Sequence, residues 1–216
     1  MARKLSFWEG IKAQFSTKCL VLIPIAVGIN LIGGTLCSAL KLPLFLDMIG
    51  TIVVACLSGP WVAALTGLLT NLFLALVANP VYLPYAAVSV LCGLVVGYMV
   101  KAGLFHKKWG VVVIWLVCTF VNAISASLIT TFVYGGATGV NGTSVLTATL
   151  VVAMKDILAS VSSSLIENLL DKGITVAIAW VIVQKIPRRF LSQYAADSMG
   201  GSDNDALSDD DEEEDE

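Results

Sequence analysis

Charge is scarce in this chain: Asp, Glu, Lys and Arg together make up 13% of its 216 residues, about half the share of a soluble domain. Long runs without charge recur along most of the sequence, too many to hide in one aqueous core. Histidine occurs once, at His106 beside Lys107 and Lys108, which excludes chemistry built on paired histidines. Neither HExxH nor GxSxG nor a phosphate-cradling GxxxxGK[ST] is present, so no enzyme signature appears and ATP would have to be hydrolysed by a separate chain. The five cysteines (Cys19, Cys37, Cys56, Cys92, Cys118) stand singly. Without a CxxC or a Cys/His spacing they indicate neither metal site nor disulfide framework, and read as small lipophilic packing residues. Met1 to Gln14 lacks a signal-peptide cleavage pattern, so the first apolar run is expected to stay as a span. No cofactor is indicated, and nucleic-acid binding has no support.

What the chain does have is apolar surface: 57% of residues are hydrophobic and the mean hydropathy is +0.85. Backbone groups in lipid must satisfy one another, and runs of this length do so as helices. The fold class expected is therefore all-α, a polytopic integral membrane protein. Spans are read at about 19–40, 44–58 (closed by Gly59-Pro60), 61–78, 85–104 and 109–133. A glycine-rich loop, Gly135 to Ser144, follows. Residues 145–186 would fit two spans by length, but charge argues for one. Arg3, Lys4, Lys12 and Lys18 precede the first span, Lys101, Lys107 and Lys108 follow the fourth, and Lys185, Arg188 and Arg189 follow the last. Six spans put ten of the thirteen basic residues on the cytoplasmic side, as the positive-inside rule requires. Residues 146–165 are then expected as an extra outer-side or partly re-entrant helix, and 167–186 as the sixth span.

Three segments follow: a cytoplasmic N-terminal segment at 1–17, a six-helix membrane domain at 18–190, and an acidic tail at 191–216. Ten of the sixteen acids fall between Asp203 and Glu216, so the formal charge of −3 conceals a balance of +7 over residues 1–202. Such a run repels itself and buries nothing apolar, so disorder is expected of it. It reads either as a solvated tail or as a docking segment. Both termini are expected in the cytoplasm, on a multi-pass protein of the cell membrane.

Polar side chains at membrane depth are costly unless paired or turned to a protected cavity. Asp47, Asn71, Tyr85, Asn122, Glu167 and Asn168 come from separate segments, yet the topology places them in or near the outer half. That arrangement suggests a pocket open to the outside, with amides and carboxylates orienting a ligand and tyrosine stacking on it. Tyr82, Asp156 and Asp171 are further candidates. Each group also has a structural reading. Asp47 suits a helix N-cap, Asn71 and Asn122 suit interhelical hydrogen bonds, and Tyr82 and Tyr85 suit an interfacial belt. Asp171 and Lys172, adjacent on a helix, are expected to face different ways and pair elsewhere. Small residues on the first span (Ala26, Gly33, Gly34, Cys37, Ser38) and the third (Ala63, Ala64, Gly67) suit close helix approach, within the chain or to another membrane subunit.

The stretches Leu42-Pro43-Leu44-Phe45-Leu46-Asp47-Met48-Ile49-Gly50-Thr51, Gly59-Pro60-Trp61-Val62-Ala63-Ala64-Leu65-Thr66-Gly67 with Asn71, Tyr134-Gly135-Gly136-Ala137-Thr138-Gly139 and Asn168-Leu169-Leu170-Asp171-Lys172 resemble the substrate-binding S components of energy-coupling factor (ECF) transporters, over about residues 18–190. The resemblance implies a six-helix fold with both ends inside and uptake of a vitamin or related micronutrient. Its implied partners are a membrane coupling subunit and two cytoplasmic ATPase subunits, which drive the S component to topple within the bilayer. It implies that substrate enters from outside and is held by the loop between the first two spans and by later helices. It also implies docking of the coupling subunit through a small-xxx-small motif on the first span. The matching positions here are Ala26, Asn30 and Gly34, in which Asn30 departs from Ala-xxx-Ala. The function expected is substrate binding for an ECF-type ATP-driven importer. A membrane-embedded ligand sensor and a self-sufficient carrier are the rivals. The sensor would carry an output domain where this sequence has its acidic tail, and the carrier would need inverted repeats, of which none is evident.

Overall fold

Among the residues that the computed structural model describes, 7–42, 44–135, 157–187 and 194, every regular element is a helix. The α-helices are α1 (Phe7–Gln14), α2 (Thr17–Ala39), α3 (Ile49–Ser58), α4 (Pro60–Val77), α5 (Tyr82–Lys101), α6 (Lys108–Tyr134) and α7 (Ile157–Lys185), with a 3-10 turn at Leu104–His106. Four of them, α2, α4, α5 and α6, are long and apolar enough to cross a membrane, which makes the chain a multi-pass membrane protein.

The remaining two bundle helices depart from the expected six-span pattern. The span expected from Leu44 is helical only over Ile49–Ser58, about 15 Å at 1.5 Å per residue and so about half the hydrocarbon thickness. Nearly every residue of α3 is buried, and it packs against α2, α4, α5 and α7. An apolar run thus marked burial in the protein rather than a crossing of lipid. At the other end, no break separates an outer helix from a last span at residue 166: α7 runs unbroken over 29 residues. The serines at 162–164 lower helix propensity only by about half a kcal/mol each. That is small beside the cost of unbonded backbone in an apolar setting. The expected start of that outer helix, the glycine-rich loop beyond Gly135, and the acidic tail lie outside the described residues.

Local chemistry explains the helix ends. Ser16 caps α2, its Oγ accepting from the Cys19 N–H at 3.4 Å. At the other end Leu42 N–H reaches Cys37 O at 2.9 Å and Lys41 N–H reaches Ser38 O at 3.1 Å. Those two bonds form a Schellman stop, with Lys41 left-handed at φ 51 where glycine is usual. The start of α4 is closed by a group from outside the expected membrane domain. Gln14, 2% exposed, ends α1 and accepts the Trp61 N–H at 3.1 Å through Oε1, while its Nε2 donates to Gly10 O at 3.2 Å. Residues 7–14 are therefore a short helix docked beneath the bundle, where only an N-terminal segment was expected.

Apolar side chains face outward on the long helices, among them Ile25, Ile32, Leu36, Leu76, Phe132 and Leu170, as a lipid-facing surface requires. At the seam between α4 and α5 the two backbones approach closely. A Cβ on Gly93 would crowd the backbone of Ala63 and Ala64, and one on Gly97 would overlap Pro60. Small residues thus bring these two backbones together, the intramolecular outcome of the pattern at Ala63 and Ala64.

Candidate functional site

Charge also enters the interior of the bundle. Every charged side chain among the described residues is exposed except Asp47, Glu167, Asp171 and Lys172. Three of these lie on α7, and Glu167, Asp171 and Thr175, four residues apart, share one helix face. All three are buried.

Asp171 ties this face to the connector between α2 and α3. Its Oδ1 accepts from two successive backbone groups, Phe45 N–H at 2.8 Å and Leu46 N–H at 2.9 Å. Its Oδ2 lies 2.6 Å from Lys172 Nζ. Although the two residues are neighbours on the helix, the flexible lysine stem lets the ammonium fold back, so they pair with each other rather than only elsewhere. Lys172 Nζ also lies 3.7 Å from Asp47 Oδ1. The connector is held in an unusual shape: Leu46 has φ 47, a left-handed conformation that costs a side-chain-bearing residue on the order of 1–3 kcal/mol. Gly33 makes the fit possible, since a Cβ there would overlap the Leu46 carbonyl. An anchored carboxylate, a buried ammonium and a glycine on α2 together press residues 45–47 into the bundle.

Glu167 sits one turn before Asp171 and is 6% exposed, yet its Oε1 has no hydrogen-bond partner. Asn168 donates from Nδ2 to Ser164 O at 2.8 Å, and its backbone carbonyl accepts from Thr119 Oγ1 at 3.4 Å. The α6–α7 interface also carries Trp115, whose Nε1 donates to Leu169 O at 2.9 Å. Its indole lies against Gly173, where a Cβ would stand 3.1 Å from Nε1. The interior oxygen Thr175 Oγ1 is unpartnered as well.

The other expected ligand residues have partners inside the chain. Asn71 donates to Ser89 Oγ at 2.6 Å and Gly67 O at 3.2 Å, joining α4 to α5. Tyr85 OH meets Thr130 Oγ1 at 2.6 Å, and its ring stacks on Tyr134 with centroids 6.2 Å apart. Asn122 donates to Cys92 Sγ and to Cys118 O, both at 2.9 Å, while the two thiols adjoin at 2.7 Å. Asp156 lies outside the described residues. The row expected to dock a partner, Ala26, Asn30 and Gly34, faces inward and is buried. Ala26 lies against Gly50, and Gly34 against Asp47 and Leu74. Asn30 accepts from Gly50 N–H at 2.7 Å and donates to Thr51 Oγ1 at 2.9 Å and Thr70 Oγ1 at 3.0 Å. It is a node joining α2, α3 and α4, not an exposed contact.

Sequence reasoning underrated Asp171 and Lys172 and missed Gln14 and Thr175. The four-residue step from Glu167 to Asp171 was a usable signal, because it puts two acids on one face of a helix that must cross an apolar layer. Nothing in the sequence marked Gln14 as a cap for a helix forty-odd residues away.

Neither the curated proteins nor the solved structures compared with this chain show a significant match. The family model described as "ECF transporter, substrate-specific component" matches residues 18–193, a stretch that runs from the second residue of α2 through α7 and includes every polar group of the buried face. By that match the chain belongs to the family of substrate-specific components of ECF transporters.

Proposed function

We propose that this protein captures a vitamin or related micronutrient at the outer face of the cell membrane and hands it to an ATP-driven importer. Its partners in this reading are a membrane coupling subunit and two cytoplasmic ATPase subunits. Both termini lie in the cytoplasm, which puts Lys12, Lys18, Lys101, Lys107, Lys108 and Lys185 on the side that the positive-inside rule favours. The observation that carries the reading is family membership over residues 18–193. The buried charged face of α7 supports it, because ionisable groups are kept at such depth for function more often than for stability.

In this reading the substrate sits between the α2–α3 connector and α7, where Asp47, Glu167 and Asn168 contact it. Asn71, Tyr85 and Asn122 stand on the helices behind this seat, and their bonds to Ser89, Thr130 and Cys92 hold the wall in register. The connector closes the seat from outside, and its two bonds to Asp171 set how readily it opens. The chain itself hydrolyses nothing.

The test is reconstitution. Full-length protein is placed in liposomes alone, or with the coupling subunit and both ATPases of an ECF module, and uptake of a mixture of radiolabelled vitamins is followed. Uptake that needs both ATP and the added module is expected. Uptake by the chain alone, or no association with the module in detergent, would overturn the proposal.

A further inference from the structure

We infer that the substrate carries a positive charge, which Glu167 binds; this deepens the substrate-binding reading above and rests on it. The starting point is a charge imbalance. Asp47 and Asp171 share a single cation, Lys172. Glu167 stands one turn before Asp171 on the same helix face with no ion pair among the described residues, and no other charged residue among them is shielded from solvent. Lys172 is already shared between Asp171 and Asp47. Asp171 additionally spends Oδ1 on two backbone N–H groups. Glu167 receives nothing at Oε1 although it is 6% exposed.

The sign of the field does not depend on whether Glu167 holds a proton. With Asp47 and Asp171 both ionised around Lys172, an ionised Glu167 leaves the four groups with two negative charges in excess and a protonated one leaves one. Charges are poorly screened in an apolar interior, so an anionic ligand is repelled in either state and a cation is attracted. An ammonium or a cationic ring nitrogen would also supply the donor or positive edge that Oε1 lacks, a charge-assisted contact of the stronger kind. A bare metal ion fits less well. Among the described residues no three His, Cys, Asp or Glu side chains converge as a ligand set, and two of the three carboxylates are held by Lys172. The site is therefore built for an organic cation.

The probe is an equimolar mixture of thiamine, choline and pyridoxamine (cationic), riboflavin and nicotinamide (neutral), and biotin and pantothenate (anionic). It is equilibrated by dialysis against full-length protein in lipid nanodiscs and read by mass spectrometry. Wild-type protein is expected to enrich a cationic member. Glu167→Gln should lose about tenfold or more of that affinity, and Glu167→Asp should retain part of it. Size-exclusion profile and melting temperature establish that both variants are folded. Enrichment of an anionic or neutral member by the wild type overturns the inference while leaving the importer reading intact. So does equal enrichment by folded Glu167→Gln. Enrichment of no member by the wild type removes the substrate-binding reading for this class of molecule, and the inference with it.

Discussion

Asn30 shows how one amide can organise three helices. It uses its carbonyl on Gly50 and both amide hydrogens on Thr51 and Thr70, so every bond it makes crosses to another element. Interhelical hydrogen bonds in membranes contribute on average about 0.6 kcal/mol each. Asn30→Ala is therefore expected to cost about 2 kcal/mol for three of them, read as a lower midpoint in SDS-induced unfolding from mixed micelles. An unchanged midpoint would show the node to be incidental. The amides at Asn71 and Asn122 were legible as unusual at membrane depth, but their partners were not. Ser89 and Cys92 lie 18 and 30 residues away. Which polar atoms meet at that distance depends on how each helix is rotated, and a hydrophobic run fixes no rotation. Glu167 is the informative exception, since its face on α7 is set by Asp171 one turn on.

At the scale of elements, hydropathy located the long spans within a few residues and misjudged the two that matter most to the site. Helix α3 is as apolar as a span because protein surrounds it, and periodicity cannot distinguish lipid from protein as the apolar neighbour. Helix α7 contains Asp171 and Lys172, and charge that would stop a lipid-facing helix is tolerated where it pairs inside a bundle. The connector between α2 and α3 depends on that pairing. Each bond from its backbone to the Asp171 carboxylate is worth about 1.5–3 kcal/mol, enough to offset the left-handed Leu46. Asp171→Asn is expected to speed hydrogen exchange at the Phe45 and Leu46 amides by about tenfold or more, with exchange in α4 unaffected. Equal protection in the variant would mean that packing on Gly33, not charge, holds the connector.

For the molecule as a whole, membrane class and family were readable from composition and from short stretches around Asp47, Gly59 and Asn168, because lipid imposes few architectures. How closely its parts fit was not readable. The α4–α5 seam rests on Gly93 and Gly97 meeting backbone rather than flexible side chains. Gly97→Val should lower the melting temperature by an amount corresponding to about 1–3 kcal/mol, the usual cost of overpacking. Gly28→Ala, which meets nothing within 4 Å, should leave it unchanged or raise it slightly, since alanine favours the helix; similar losses in both would point to general helix effects instead. The link from Asp171 to the backbone of Phe45 and Leu46, spanning some 125 residues, has a further implication for engineering. A recognition loop transplanted from a relative would arrive without the carboxylate that shapes it. Chimaeras intended to change what the protein imports should therefore exchange the connector and α7 as one unit.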